Sequence, residues 1–105
     1  MRFKQRIKMI EEQYPEVSKT TYNRCREIGK ILEDKCLKYL WIYPNDFGGI
    51  DFRFDKEKVQ VVISIGDDSF SYYVAKVGEP QPDFYSFLEY NEKNLNDLVL
   101  IMSKL

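Results

Sequence analysis

The side chains that most often carry out chemistry are scarce in this sequence. It contains no histidine and only two cysteines, Cys25 and Cys36. Histidine is the usual general base near neutral pH and the commonest metal ligand, so triads of the Ser-His-Asp or Cys-His type are excluded. Two thiols are also too few for a structural zinc site built from Cys and His. The sequence therefore predicts no cofactor, and we expect a protein that is not an enzyme.

Two short motifs resemble ligand-binding loops but lack the required context. Gly48-Gly49 leads into a strand, whereas the glycines of nucleotide-binding loops open a helix. Asp67-Asp68 has neither the spacing nor the closing glutamate of a calcium loop. Both motifs are typical of turns. Carboxylate pairs for glycoside hydrolysis meet only in the fold, so the 17 acidic residues leave that activity open.

Aromatic residues are the most distinctive component, with eight Tyr and seven Phe. Burial in a core is the commonest use of these side chains, and an aromatic binding surface is the alternative. Tyr suits interfaces that are partly wet, because its ring is apolar and its hydroxyl is polar. The candidate partner contacts are Tyr43, Asp46 and Phe47 in a loop, Tyr73 on the outer face of a sheet, and Phe84, Tyr85 and Phe87 after two prolines.

Length and composition predict one domain spanning residues 1–105. Hydrophobic residues make up 44% and charged residues 31%, as in ordinary globular proteins. No window approaches the roughly 20 apolar residues that a membrane helix needs. Cys25 and Cys36 fall on one predicted helix about 16 Å apart, too far for a disulfide. Unpaired thiols indicate a reducing compartment, so we expect a cytoplasmic protein.

Hydrophobic spacing predicts three helices. Steps of three and four residues cover Met1 to Gln13, about Ser18 to Leu40, and the chain after Asn91, which is a plausible helix cap. The apolar stripe of the second helix consists of Tyr22, Cys25, Gly29, Leu32, Cys36 and Tyr39, widened by Ile28 and Leu40. Glycine on an apolar helix face costs about 1 kcal/mol relative to alanine. We therefore expect another element to approach closely at Gly29.

Alternating apolar and polar residues predict strands at Ile50–Asp55, Val59–Ile65 and Phe70–Ala75. Short turns between them indicate a three-stranded antiparallel meander. The stretch from Asp83 to Tyr90 fits either a short fourth strand or a packed loop. The expected fold is therefore α+β: two N-terminal helices, the meander and a C-terminal helix. The helices should cover the sheet face that bears Phe52, Phe54, Val61, Ile63, Phe70 and Tyr72.

Charge is distributed unevenly along the chain. The chain up to Pro44 contains ten Lys or Arg and six Asp or Glu, which gives a net charge of +4. The chain from Asn45 onward contains six Lys or Arg and eleven Asp or Glu, which gives a net charge of −5. Pairing between basic helices and an acidic sheet is favoured over a charged partner surface. A basic first helix with Arg2, Lys4, Arg6 and Lys8, extended by Arg24 and Arg26, could lie along phosphates. Nucleic acid is nevertheless the less favoured partner, because the isoelectric point is near 5.5.

An amphipathic helix is followed by the segment Tyr43-Pro44-x-x-x-Gly48-Gly49-Ile50-x-Phe52-x-Phe54. This segment leads into a meander and a leucine-rich terminal helix. With these features, the chain resembles small uncharacterised proteins of bacteria, phages and mobile elements. That pattern often carries Trp where this chain has Phe54. The resemblance covers roughly residues 20 to 105. It implies the fold, together with a class in which stoichiometric inhibitors, antitoxins and immunity proteins are common.

These observations predict a small protein whose partner is another protein. The leading hypothesis is a non-enzymatic inhibitor of a bacterial defence complex, similar to an anti-CRISPR protein and encoded by a phage or mobile element. An immunity protein or antitoxin would use the acidic half against a basic toxin. A homodimeric structural subunit is the third interpretation, because the stripe of residues 22 to 39 could pair with its own copy.

Overall fold

The computed structural model describes residues 3–36 and 40–104 and has an α+β architecture. In chain order, the elements are α1 (Phe3–Gln13), α2 (Lys19–Cys36), β1 (Leu40–Pro44), β2 (Ile50–Lys56), β3 (Val59–Ile65), β4 (Ser69–Lys76), β5 (Asp83–Glu89) and α3 (Glu92–Ser103). The strands form one sheet in the order β1-β2-β3-β4-β5, and all neighbours are antiparallel. The predicted fold class is confirmed. The predicted strand count is wrong, because the described chain has five strands.

Strand β1 begins at Leu40, where the second helix was predicted to end, and continues through residues 41–44, for which no element was predicted. Helix α2 ends at Cys36, and Leu40 already pairs with Phe54 of β2. The aromatic and β-branched residues at 41–43 favour a strand, and Pro44 disfavours a helical conformation of the residue before it. The helical spacing nevertheless continues through the apolar residues, which explains the error. Residues 37–39, including Tyr39 of the predicted stripe, lie outside the described residues.

Strand β5 resolves the ambiguity over residues 83–90. It pairs with β4, but the register shifts between Phe70 and Tyr72 of that strand. Phe87 has a φ of +55°, which marks the irregular residue of β5. A β-bulge of this kind interrupts the alternation of side chains. Periodicity alone therefore could not distinguish the strand from a loop.

The helices pack on one face of the sheet and create the core there. All six sheet residues predicted on the covered face are between 0% and 3% exposed: Phe52, Phe54, Val61, Ile63, Phe70 and Tyr72. The helices contribute Phe3, Ile7, Tyr22, Cys25, Ile28, Leu32, Leu95, Leu98 and Met102 to the same hydrophobic cluster. The predicted arrangement of the two layers is thus confirmed.

The close approach predicted at Gly29 is made by Phe3 of α1. A Cβ atom at Gly29 would lie 2.0 Å from Cε1 of Phe3, which is far inside van der Waals contact. On its other side, the Phe3 ring meets Phe52 edge-on, with ring centroids 5.2 Å apart. Glycine therefore lets α1 approach α2 closely enough to bring Phe3 onto the sheet.

The start of α2 is attached to the turn between β3 and β4. Ser18 caps the helix, because its Oγ accepts a hydrogen bond from the Thr21 amide at 3.1 Å. The Asp67 carboxylate accepts hydrogen bonds from the hydroxyls of Ser18 and Thr21, the latter at 2.7 Å. Nη1 of Arg24 donates to the Gly66 carbonyl at 2.9 Å. The Asp67 turn predicted from sequence therefore also anchors a helix.

These hydrogen bonds connect the basic and acidic halves of the chain. The ion pairs that the structure contains include Arg26 with Glu11, Arg53 with Asp55 and Lys93 with Asp97. Each of these pairs joins residues of the same half. The hypothesis of extensive ion pairing between the two halves thus stays a prediction, and Asp67 provides a polar link of a different kind.

Replacing Asp67 by asparagine is expected to make stability less dependent on acid pH. Hydrogen bonds from Ser18 and Thr21, and then the charge of Arg24, hold the pKa of Asp67 below its usual value. A carboxyl group whose pKa is lower in the folded state stabilises the protein at pH values above its unfolded-state pKa of about 4. This stabilisation is lost as the pH falls through the folded-state pKa. Urea unfolding from pH 7 to pH 2 measures the effect. The difference in unfolding free energy between wild type and Asp67→Asn should be constant above pH 5 and shrink below pH 4. A difference that stays constant over the whole pH range would contradict this prediction.

Candidate protein-binding surface

The outer face of the sheet is the side that the helices leave uncovered. Residues that alternate with the buried ones point to this face, and the register places one residue of each strand in a single row. We call this row the aromatic row; from β1 to β5 it consists of Trp41, Arg53, Val62, Tyr73 and Phe84. Trp41 is 53% exposed and Phe84 is 67% exposed, whereas Val62 is only 8% exposed. The row therefore has a packed centre and open ends.

Polar and ring contacts hold the aromatic row in one arrangement. The Arg53 guanidinium lies 5.9 Å from the centre of the Trp41 ring and 3.1 Å from Oδ2 of Asp55. The Gln60 side-chain amide forms hydrogen bonds with both Arg53 and Tyr73. Its oxygen accepts from the Arg53 guanidinium at 2.9 Å, and its nitrogen donates to the Tyr73 hydroxyl at 3.1 Å. The hydrogen bond to Asp55 and its charge raise the pKa of Arg53, so the guanidinium stays cationic.

The β1 end of the row forms a shallow depression of about 340 Å³. Trp41, Tyr43, Arg53 and Asp55 line it. Partial burial, and then the charge of Asp51, raise the pKa of Tyr43, so its hydroxyl stays neutral at physiological pH. The depression thus offers two aromatic rings, a permanent cation and carboxylates within a small area. Such a mixture suits a protein side chain that carries both apolar and polar groups.

The hairpin between β1 and β2 extends this surface and holds Phe47 in the open. Oδ1 of Asn45 accepts hydrogen bonds from the amides of Phe47 and Gly49, both at 2.9 Å. Nδ2 of the same side chain donates to Oδ1 of Asp51 at 2.9 Å. Gly48 has a φ of +81°, a conformation that favours glycine. These bonds fix the loop, although Phe47 itself is 97% exposed.

A second groove, of about 370 Å³, lies between the hairpin and β5. Phe47 and Phe87 border it, and Ser64 and Ser71 contribute to its floor. The amide of Phe87 donates to Oγ of Ser71 at 3.0 Å. Phe87 is 88% exposed although its φ of +55° is unfavourable for a bulky residue. Packing within the chain therefore does not explain why an aromatic residue occupies this position.

Known proteins do not supply a function for this surface. No family model, curated protein or solved structure shows significant similarity to the chain. Among the described residues, no helix is both long enough and apolar enough to cross a membrane. The resemblance to mobile-element proteins stays a prediction, and functional arguments depend on the surface itself.

The seven residues predicted to contact a partner divide between the two sides of the sheet. The outer face, its grooves and the adjoining hairpin carry Tyr43, Asp46, Phe47, Tyr73, Phe84 and Phe87. Tyr85 lies on the helix-covered side, where its ring stacks on Tyr72 with centroids 4.7 Å apart. Sequence reasoning missed Trp41 and Arg53. The alternation of Trp41 with Tyr43 upstream of Pro44 is the signal that would have identified β1.

The basic residues of the helices are partly engaged within the chain. Arg24 donates to a backbone carbonyl of the β3–β4 turn, and its guanidinium lies 4.4 Å from the centre of the Tyr90 ring. Arg26 pairs with Glu11. Arg2 lies outside the described residues. Because two of the predicted phosphate contacts have internal partners, the helical layer offers less free positive charge than the sequence indicated.

The apolar stripe of α2 faces the core where its side chains are described, from Tyr22 to Leu32. Burial raises the pKa of Cys25 to about 12, so its thiol stays protonated and is a poor nucleophile. Tyr22, Ile28 and Leu32 are each 1% exposed because they face the chain's own core. The part of the predicted dimerisation stripe from Tyr22 to Leu32 is therefore occupied within one molecule.

Proposed function

We propose that this chain is a non-enzymatic protein that binds a larger protein and blocks it through the outer face of its sheet. The aromatic row is the observation that carries this proposal. It presents Trp41, Arg53 and Tyr73 across an uncovered face, and Trp, Arg and Tyr are the residue types that dominate binding energy at protein interfaces.

The fixed geometry of the outer face supports the same proposal. Gln60 links Arg53 to Tyr73, and Asn45 holds the hairpin that presents Phe47. A surface that is already ordered loses less conformational freedom when a partner binds. The chain can therefore convert more of its contact energy into affinity than a set of mobile side chains could.

Two kinds of target protein are candidates for this surface, a bacterial defence complex and a basic toxin. Negative charge near the aromatic row favours the basic toxin. The inhibitor hypothesis proposes a bacterial defence complex as target, in the manner of an anti-CRISPR protein. The immunity or antitoxin hypothesis proposes a basic nuclease toxin, and it is favoured by Asp55, which lines the depression with Trp41, and by Asp51, whose charge acts on Tyr43. Rescue of cells that express a candidate toxin would support the second class. Relief of CRISPR interference would support the first.

Affinity capture from a bacterial lysate, with tagged protein at two salt concentrations, tests the proposal. We expect a stoichiometric protein that remains bound at high salt, because apolar contacts are not screened. Binding should depend on Tyr73, the β4 member of the row, and not on Met9, which is 52% exposed on α1. Nucleic acid retained only at low salt would instead indicate the basic helices and would overturn the proposal.

Replacing Phe87 by asparagine is expected to stabilise the protein and weaken its binding. Asparagine tolerates a positive φ better than phenylalanine, so relief of strain should add about 1 kcal/mol to the unfolding free energy. Loss of the exposed ring should weaken partner binding about tenfold. Urea unfolding and titration with the captured partner measure the two effects. Phe87→Tyr is the control, because it keeps both the ring and the strain; equal behaviour of the two variants would contradict the prediction.

A further inference from the structure

Strand β5 is an edge of the sheet, and the bulge at Phe87 is one of the features that commonly limit pairing at an edge. Every one of its side chains except Leu88 is exposed. The strand contains no Lys, Arg or Pro, the residues that commonly prevent an edge from pairing with another chain. The opposite edge, β1, is shorter and ends in Pro44. Nδ2 of Asn94 in α3 donates to the Glu89 carbonyl at 2.7 Å, so an added strand would pair with the part of β5 before Glu89.

The sequence of β5 combines an apolar centre with an acidic residue at each end. Asp83 begins the strand, Glu89 ends it, and four of the five residues between them are aromatic or aliphatic, with Ser86 in the middle. We propose that this edge binds an extended segment of a partner protein in which Lys or Arg flanks an apolar centre. This inference rests on the proposed function, because it specifies the partner segment that a protein-binding role would recruit. Pairing at an edge gives affinity through backbone hydrogen bonds and specificity through side chains.

Charge argues against a second copy of this chain as the occupant. In an antiparallel pair centred on Ser86, Asp83 would oppose Glu89 of the second copy at both ends. In a parallel pair in register, each carboxylate would oppose its own equivalent. Like charges directly opposite each other destabilise strand pairs, whereas opposite charges stabilise them. The same two carboxylates therefore disfavour self-pairing and favour a segment with basic ends.

The position of the edge places the added segment beside the outer face. Phe84 is the β5 member of the aromatic row, and its ring lies 5.8 Å from that of Tyr73. Phe87 borders the second groove from the same strand. A segment paired with β5 would thus continue the binding surface rather than create a separate one. The bulge at Phe87 limits regular pairing to part of the strand, so the charged ends carry much of the selectivity.

Two peptides of the same seven-residue length as β5 provide the test. Both have capped termini and a centre of alternating Val and Thr; one has Lys at each end and the other has Glu. We expect the Lys peptide to bind the full chain about tenfold more tightly at low salt, with a smaller difference at high salt. Hydrogen exchange of β5 amides should slow when the Lys peptide binds. Equal binding of both peptides, no binding, or unchanged β5 exchange would overturn the inference.

Charge reversal on β5 tests the role of its ends. The double change Asp83→Lys with Glu89→Lys should make the chain prefer the Glu peptide. The single change Glu89→Lys should cause concentration-dependent dimerisation, because Lys would then oppose Asp83 at both ends of a self-pair. Glu79→Lys, in the loop before β5, is the matched control and should change neither property. A wild-type dimer with protected β5 amides would show that a second copy occupies the edge and would overturn the inference.

The peptide experiment can fail independently of the proposed function. If a captured partner depends on Tyr73 but is unaffected by charge reversal at Asp83 and Glu89, the outer face binds it and the edge does not. If the Lys peptide binds and no protein is captured through the row, the edge inference stands and the proposed function fails. The two proposals therefore lead to different observations.

Discussion

Replacement of Phe52 by alanine is expected to destabilise the protein by about 3–5 kcal/mol. Phe52 is 0% exposed in the middle of β2, and its ring is in edge-on contact with Phe3. Phe3 is itself 2% exposed and packs closely on Gly29 of α2, so its ring could fill the space left by Phe52 only by giving up that contact. The cavity should therefore persist, and a persistent cavity adds to the loss of apolar burial.

Phe84→Ala is the matched control, because it removes the same side chain from a position that is 67% exposed. Its effect on the unfolding free energy should be below about 1 kcal/mol. Urea denaturation followed by tryptophan fluorescence measures both variants, since Trp41 is the single tryptophan. Small proteins have only about 5–15 kcal/mol of stability in total, so the Phe52 variant should be marginally folded. Similar losses in the two variants would contradict the assigned core.

The core could be predicted from the sequence because its apolar residues recur at the regular spacings of helices and strands. Spacing of three and four residues identified α1, α2 and α3, and alternation identified β2, β3 and β4. The prediction at Gly29 succeeded for a related reason: glycine on an apolar helix face has few uses other than close packing. These elements each bury one face, and burial of one face is the property that periodicity reports.

Strand β1 was not predicted, and β5 was left undecided between a strand and a loop, because the residues of these edge strands are under different constraints from those of the core. In β1, an apolar run continues the spacing of the preceding helix, and only Pro44 indicates a change of conformation. In β5, the side chains are mostly exposed, so no buried face imposes an alternation. The positive φ of Phe87 adds a bulge that no composition rule anticipates. Both edges contribute to the candidate site, which is why the site was harder to predict than the fold.

The same physics explains which site residues were placed correctly. Tyr73 was predicted on the outer face because β4 alternates regularly. Phe84 and Tyr85 are neighbours in a strand, so they must point to opposite faces. Without the bulge, Phe87 would share a face with Tyr85; the irregular residue allows it to border the groove on the outer side. Trp41 was missed because residues 41–44, between the predicted helix end near Leu40 and the predicted loop, were assigned to no element.

Replacement of Trp41 by alanine is expected to weaken binding to the captured partner by about 30-fold, or about 2 kcal/mol. Trp41 provides the largest ring of the aromatic row, and its contact with Arg53 keeps that cation in place. Truncation therefore removes apolar contact area and one of the contacts on Arg53, which Asp55 and Gln60 still hold. Trp41 is 53% exposed, so stability should change by less than about 1 kcal/mol. The loss of affinity should thus occur in a folded protein.

Isothermal titration with the purified partner measures this loss, with circular dichroism as the test of folding. Leu100→Ala is the matched control, because Leu100 is 59% exposed on α3, away from the sheet's outer face. Combining Trp41→Ala with Arg53→Ala should cost less than the sum of the single changes, since each side chain supports the other. Wild-type affinity in the folded Trp41 variant would show that the β1 end of the row lies outside the interface. Additive losses would show instead that the ring and the cation act on separate parts of the partner.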